Sequence, residues 1–319
     1  MGQTFKISEH DEGRRIDKII RKKWPDLPLS AMMRAFRKGM VRVEGRKVEC
    51  SAHVAGGSTV EVPWEDEVIL EERQIPVRGM PGGSDIEVIY ADNDVCIVNK
   101  PWNLLSQPDS RGGESAISRT AAMLDWKDSS FLPTPVHRLD RNTSGALALA
   151  LNGTALRTLH EAWRKGGVGK TYLAIVAGQT PLEGEIDSPL HKSGEDNIVQ
   201  VDPEKGQKAL TRFRRVEGDA SVSLLSVELL TGRPHQARVH LASIGHPLIG
   251  DIKYGDKRIN AEMRILGIQR PMLHSRSIEF RGVREPLEHL AGKRFLAVPP
   301  GDFMDFLTRR GWRLYNRGV

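Results

Sequence analysis

The densest run of reactive side chains is His137-Arg138-Leu139-Asp140-Arg141-Asn142-Thr143-Ser144-Gly145, which leads into the apolar stretch Ala146 to Leu151. A polar loop that ends in Gly and feeds a buried strand sets an acid at the lip of a sheet, where a ligand can meet it. Arg138 and Arg141, on either side, would keep Asp140 ionised, which suits a nucleophile or base rather than a proton donor. Taken alone, the spacing fits a loop acid in a surface ion pair equally well.

Other chemistries fit less well. Gly166-Gly167-Val168-Gly169-Lys170-Thr171 ends like a phosphate-binding loop, but that motif needs Gly where Arg164 stands, and Lys170 begins a strand rather than a helix. His235, His240 and His246 lack the spacing of a helical metal pair and have no Cys nearby, so helix packing or contact with a ligand suits them better and no metal is expected. Ser144 precedes Gly145 without the Gly-x-Ser-x-Gly elbow that exposes a hydrolase serine.

The elements that must hold these residues fall into two groups. From Glu12 to Pro63 there are twelve Lys/Arg against six Asp/Glu, an excess equal to the +6 of the whole chain, so the remainder balances. A basic module on a neutral body suggests a grip on a polyanion, although a solvated charged face would share that composition. Within it, Ile16, Ile19 and Ile20 predict a helix ending before Pro25, and a second helix runs from Ser30, as N-cap, through Met33, Ala35 and Phe36 to Gly39. Val41, Val43 and Val48 around the Glu44-Gly45 turn, then Val60 and Val62, predict short strands. The acidic, then Pro/Gly-rich stretch from Glu65 to Ser84 reads as a linker.

Beyond it β structure dominates. Ile86 to Tyr90 and Val95 to Val98 form a strand pair about the Asp92-Asn93-Asp94 turn. Ser115 to Trp126 and Thr154 to Lys165 read as helices, the second with Leu156, Leu159, His160 and Trp163 on one side. Strands are expected at Tyr172 to Val176, Ala209 to Val216 and Val222 to Leu230, then a helix from Pro234 to Gly245. Cys50 and Cys96 are expected as free thiols in a reducing compartment. No apolar run approaches the ~18 residues of a membrane span, and the first residues carry no export signal, so a soluble, cytoplasmic protein is expected.

Two resemblances sharpen this reading. Gly13-Arg14-Arg15-Ile16-Asp17 and Leu29 to Val48 resemble the S4 RNA-binding module, apart from Glu44 where Asn is usual. This implies phosphate contacts for Arg34, Arg37 and Lys38 on the second helix. The His137 to Gly145 stretch resembles the signature loop of the RluA family of pseudouridine synthases, and matches it at every fixed position. That resemblance implies that Asp140 is the catalytic carboxylate and that Arg138 fills the gap left by the flipped nucleotide.

Lys170 to Gly178 is similar to the family's Lys-x-Tyr strand, which implies that Tyr172 packs on the target base; there it would hold the freed base by stacking and then act as, or assist, the base that removes the C5 proton. Thr231-Gly232-Arg233-Pro234-His235-Gln236-Ala237-Arg238, continuing through Gly250-Asp251-Ile252-Lys253-Tyr254-Gly255, resembles its third block, with Ala237 replacing the usual Ile or Leu. It implies Arg238, rather than Arg233, as the partner of Asp140. His137 and Arg233 are assigned to RNA contact. Asn99-Lys100-Pro101 and Leu273-His274 fit as well, and the likeness covers residues 12 to 300.

The expected fold is α+β: an S4-like RNA-binding domain with the start of a linker in residues 1–75, then a mixed α/β catalytic domain with a large antiparallel sheet in 76–319. The expected reaction breaks N1–C1′ of a uridine, turns the base, joins C5 to C1′ and removes the C5 proton, with no cofactor. The carboxylate either attacks C1′ or takes the C2′ proton, and the sequence does not choose between them. Extrusion of the stacked uridine costs a few kcal/mol. The S4-like module and Thr154 to Glu161 look most like members acting on large-subunit ribosomal RNA. The alternatives are tRNA or another structured RNA, or a non-catalytic RNA-binding assembly protein. A monomer without a membrane or small-molecule partner is expected.

Overall fold

Short alternating stretches build the N-terminal part of the computed structural model, which describes residues 3–24, 29–64, 86–109, 112–128, 131–193 and 198–314. Strands β1 (Gln3–Lys6), β2 (Arg42–Val43), β3 (Arg46–Lys47) and β4 (Thr59–Val62) form a sheet in the order β1-β4-β2-β3. Helices α1 (Ile16–Lys23) and α2 (Leu29–Arg37) pack on it. Ile16, Ile19 and Ile20 share one apolar cluster with Met32, Ala35, Phe36, Val60 and Val62, which leaves Arg34, Arg37 and Lys38 facing solvent. Glu44 and Gly45 turn the β2–β3 hairpin with φ of 49° and 72°, the left-handed pair a two-residue loop requires. Two expectations change here. Helix α2 already begins at Leu29, so Ser30 lies inside it and is not its N-cap, and β1 had no sequence signal. The expected linker, Glu65 to Ser84, lies outside the described residues.

The remaining strands are β5 (Glu87–Ala91), β6 (Val95–Lys100), β7 (Thr134–Pro135), β8 (Ser144–Ala150), β9 (Val168–Ala177), β10 (Glu183–Asp187), β11 (Leu190–Lys192), β12 (Val199–Val201), β13 (Leu210–Gly218), β14 (Val222–Leu229), β15 (Leu273–Phe280) and β16 (Arg294–Leu296). Around them lie α3 (Ala116–Met123), α4 (Gly153–Arg164), α5 (Gln236–Ser243), α6 (Lys257–Ile265) and α7 (Gly301–Arg309). Ten strands make one sheet in the order β10-β13-β14-β9-β15-β8-β6-β5, with β7 added to β8 and β16 to β15; β11 and β12 pair separately. Pairing is antiparallel throughout except between β8 and β15. The body is thus mixed α/β on a large, mostly antiparallel sheet, as expected.

Strand β8 reads as an unbroken apolar run because both its faces are covered. Ala146, Ala148 and Ala150 meet Ala155, Leu159 and Ala162 of α4 in one cluster. Leu147 and Leu149 turn the other way, toward Tyr172, Ala174 and Val176 of β9 and Ala237 and Leu241 of α5. Leu156, Leu159 and Trp163 of α4 pack in or against the cluster that holds Ala146, as expected, whereas His160 is exposed. Leu173 and Ile175 of β9 pack beneath α6 and α7 through Met263, Phe303 and Phe306.

Strand β15 has no counterpart in the sequence reading, yet it sits between β8 and β9 at the centre of the sheet. Its close approach to β8 explains Gly145, which has φ of 114° and where a Cβ would lie 2.2 Å from the Ser275 carbonyl oxygen. Only glycine tolerates both.

Candidate active site

The Asp140 loop is fastened from below before β8 begins. Ser106 Oγ donates to the Leu139 carbonyl (2.9 Å) and accepts from the Leu139 N–H (3.0 Å). Lys100 Nζ donates to the carbonyls of Pro101 (2.9 Å), Leu104 (2.8 Å) and Arg141 (3.3 Å). Both neighbours of Asp140 are therefore held, and its carboxylate, about a third exposed, projects where α5 arrives.

Arg238 of α5 brings the opposite charge. Its Nη1 lies 3.3 Å from Asp140 Oδ2, while Nε and Nη2 donate to the two oxygens of Asp251 at 2.7 and 2.8 Å. Asp251 is fully buried, and its Oδ1 also accepts the backbone N–H groups of Lys253 (2.9 Å) and Tyr254 (3.2 Å). Burial alone would raise the Asp251 carboxyl, but its bonds with Arg238 outweigh it and hold the pKa below the usual carboxylate value. Burial also works against the Arg238 charge; Asp251 and then Asp140 reverse this, leaving its pKa above the ordinary one. The Tyr254 ring lies 5.0 Å from the guanidinium carbon, so Arg238 is fixed on three sides.

His235 completes this edge from a left-handed backbone conformation, φ 52°. Its Nδ1 shares a 2.7 Å hydrogen bond with the Tyr254 hydroxyl, and its Nε2 stands 4.0 Å from Asp140 Oδ2. Gln236 next to it is a satisfied knot: Oε1 accepts from Thr231 Oγ1 and the Arg233 N–H, and Nε2 donates to the Leu210 carbonyl and Thr211 Oγ1. Tyr172, on β9, is buried with its hydroxyl bonded to the Ser275 side chain. Burial, and the nearby charge of Asp140, push its pKa well above the usual phenol value. It stays a neutral phenol, a poor base but a sound apolar platform. Lys100 is completely buried as well, and burial draws its pKa down to about 7 against the opposing pull of Asp140.

Asp140, Tyr172 and Arg238 thus share one site although they come from a loop, a strand and a helix. The arginines flanking Asp140 are not its charge partners: Arg141 Nε bonds Asn103 Oδ1 (3.1 Å), and the Arg138 side chain is exposed. Sequence neighbours diverge because the loop turns there, with the Thr143 N–H bonded to the Asp140 carbonyl. His137 turns away, stacked on Trp163 of α4 at 5.0 Å while its Nε2 accepts from the Ala148 N–H. Arg233 Nε donates to the Lys208 carbonyl. Arg34, Arg37 and Lys38 lie on the N-terminal part. His240 and His246 bond backbone carbonyls, and no group of three metal-binding side chains exists among the described residues. Asp251, Tyr254 and Lys100 stood in quoted blocks with no role assigned to them.

The profile of the family described as RNA pseudouridylate synthase matches residues 94–243. Ribosomal large subunit pseudouridine synthase C of Vibrio cholerae serotype O1 is 36% identical over 282 residues, 87% of this chain and 88% of its own. The chain belongs to the RNA pseudouridine synthases. Its reaction is the isomerisation of uridine to pseudouridine in RNA. The Haemophilus influenzae protein of the same name is 35% identical to this synthase, with 86% and 85% of the two chains covered. Human RNA Pseudouridylate Synthase Domain Containing 4 has the same fold, with a TM-score of 0.59 at 22% identity over 72% of this synthase and 95% of that chain. No described helix of the synthase is long and apolar enough to cross a membrane.

Proposed function

We propose that this synthase modifies uridines of large-subunit ribosomal RNA in the cytoplasm, with Asp140 as the essential carboxylate. The Asp140–Arg238–Asp251 arrangement carries the assignment of roles. Relatives named for the large ribosomal subunit, matched over most of both chains, support the substrate. In this reading the flipped uridine lies on the Tyr172 ring and its sugar faces Asp140, which either attacks C1′ or takes the C2′ proton. N1–C1′ breaks, the freed uracil anion turns on the ring, C5–C1′ forms as Asp140 is displaced from C1′ or returns the proton to C2′, and water takes the C5 proton while N1 gains one. Arg238 keeps the carboxylate aimed, and the exposed Arg138 fills the place the nucleotide left. Being neutral, Tyr172 acts through its ring and its hydroxyl contact with Ser275 rather than as a phenolate.

Residues 1–75 serve as an S4-like RNA grip and 76–319 as the catalytic domain. Arg34 and Arg37 of α2 and Lys38 just after it, all exposed, take phosphates, assisted by Arg233. His137, by its stacking on Trp163, supports the loop from behind. The protein acts as a monomer without a cofactor. Mapping pseudouridine across large-subunit rRNA from cells with and without the gene tests the substrate. One or more sites lost with the gene are expected; an unchanged map would reject it.

A further inference from the structure

The loop fastened to the Asp140 loop carries an aromatic ring that the proposed reaction leaves unused. Trp102 is 40% exposed, unusual for the largest apolar side chain, and it sits at the tip of the loop fastened to both neighbours of Asp140. Asn103, next to it, adopts φ of 60° and accepts from Arg141 Nε. The strained turn is thus tied to the catalytic loop and raises the indole above it. Beneath the indole, the Arg270 guanidinium carbon lies 5.8 Å from the ring centroid. Arg270 is itself buried and committed, with Nε and Nη2 on Asp302 (2.7 and 2.9 Å) and Nη1 within 3.5 Å of the Asn142 carbonyl. One side of Trp102 therefore faces a built support, and the exposed Arg141 is tied to the neighbouring Asn103.

We propose that Trp102 is a stacking platform for a base of the substrate RNA adjacent to the target uridine. Extruding one nucleotide strips a stacking partner from its neighbour, and a rigid π surface at the mouth of the site replaces that partner. The exposed Arg141 beside this turn fits the phosphates of a nucleic acid, and the turn is fastened to the residues on either side of Asp140. The inference rests on the reading that RNA enters at Asp140, and it makes Trp102 a determinant of substrate binding and local sequence preference rather than a catalytic residue.

The test uses the full chain, unmodified large-subunit rRNA transcripts to locate a modified uridine, and then an RNA hairpin carrying that uridine. Trp102→Phe keeps a π face; Trp102→Leu keeps apolar cover over Arg270 without one. Expected are hairpin affinities within about threefold of wild type for Phe and lowered about tenfold or more for Leu, with single-turnover rates at saturating RNA preserved in both. Replacing a flanking nucleotide by an abasic residue should weaken wild type by the same factor and leave Trp102→Leu unaffected. If the leucine variant binds as tightly as wild type, or if both variants weaken equally, the platform is rejected. If wild type makes no pseudouridine in any transcript, the substrate reading fails first. An inactive but tightly binding leucine variant would make Trp102 part of the catalytic framework instead, which also overturns the inference.

Discussion

Arg238 belongs to Asp251 before it belongs to Asp140: two hydrogen bonds of 2.7 and 2.8 Å tie it to the buried acid, and a single longer one of 3.3 Å reaches the acid in the site. In the proposed reaction the aim of the Asp140 carboxylate is thus set through Arg238 by the fully buried Asp251. Asp251→Asn should lower the single-turnover rate on the order of a hundredfold, as expected when a reacting group is displaced by about 1 Å. It should also cost about 3–5 kcal/mol in urea unfolding, because a buried charge loses its partner. A variant with wild-type rate and stability would show that Arg238 needs no anchor.

Asp140→Asn is nearly isosteric and leaves the loop's backbone contacts in place. Turnover should disappear while the dissociation constant for RNA stays within a few fold of wild type. Product accumulating over several turnovers would exclude the carboxylate role.

Tyr172→Phe preserves the buried ring and removes the bond to Ser275. RNA affinity should hold and the rate should fall modestly. Since the phenol stays protonated well beyond neutrality, neither protein should speed up between pH 7 and 9 through this residue. A rise present in wild type and absent in the variant would mean that a phenolate takes part.

Lys100 makes stability depend on pH. Its folded pKa lies at about 7, whereas in the unfolded chain it stays charged to about pH 10.4. Between these values the unfolded state binds more protons, so stability rises with pH across that window, by at most about 1.4 kcal/mol per unit from this group, and the burial penalty is fully present below it. Urea midpoints of wild type should climb from pH 7 to 9 relative to Lys100→Met. Parallel curves would place the folded pKa outside the window.

Neutralising Arg34, Arg37 and Lys38 together should weaken RNA binding and flatten its dependence on salt. The slope of log K against log salt should fall by about 2 to 3 if all three meet phosphates of a duplex. An unaltered slope would move the electrostatic grip elsewhere.

Much of this was readable where burial and hydrophobicity coincide. The Ala146 to Leu151 run revealed β8, and the isoleucines of α1 revealed its buried side. Strand β15 escaped because its centre is polar: His274, Ser275 and Ser277 are buried, yet each is bonded. His274 Nε2 donates to the Ala297 carbonyl, so its Nδ1 accepts from Ser144 Oγ, and burial keeps the ring neutral with a pKa of about 3. A strand stabilised by satisfied hydrogen bonds leaves little trace in hydropathy. Asp251 escaped for a related reason, since a buried acid is visible only once its cation has been folded against it. The error over Arg138 and Arg141 came from reading chain adjacency as contact, when the partner of Asp140 is supplied by a helix 98 residues away.

The position of β15 also orders the assembly of the molecule. The loop that bears Asp140 and the strand that bears Tyr172 are made early, but they are not neighbours in the sheet: β15 separates them and pairs with both. During synthesis the carboxylate and the ring have no fixed spacing until Phe280 has emerged and its strand has slid into place. A chain truncated ahead of residue 273 would therefore carry Asp140, Tyr172 and Arg238 without the strand that sets their spacing.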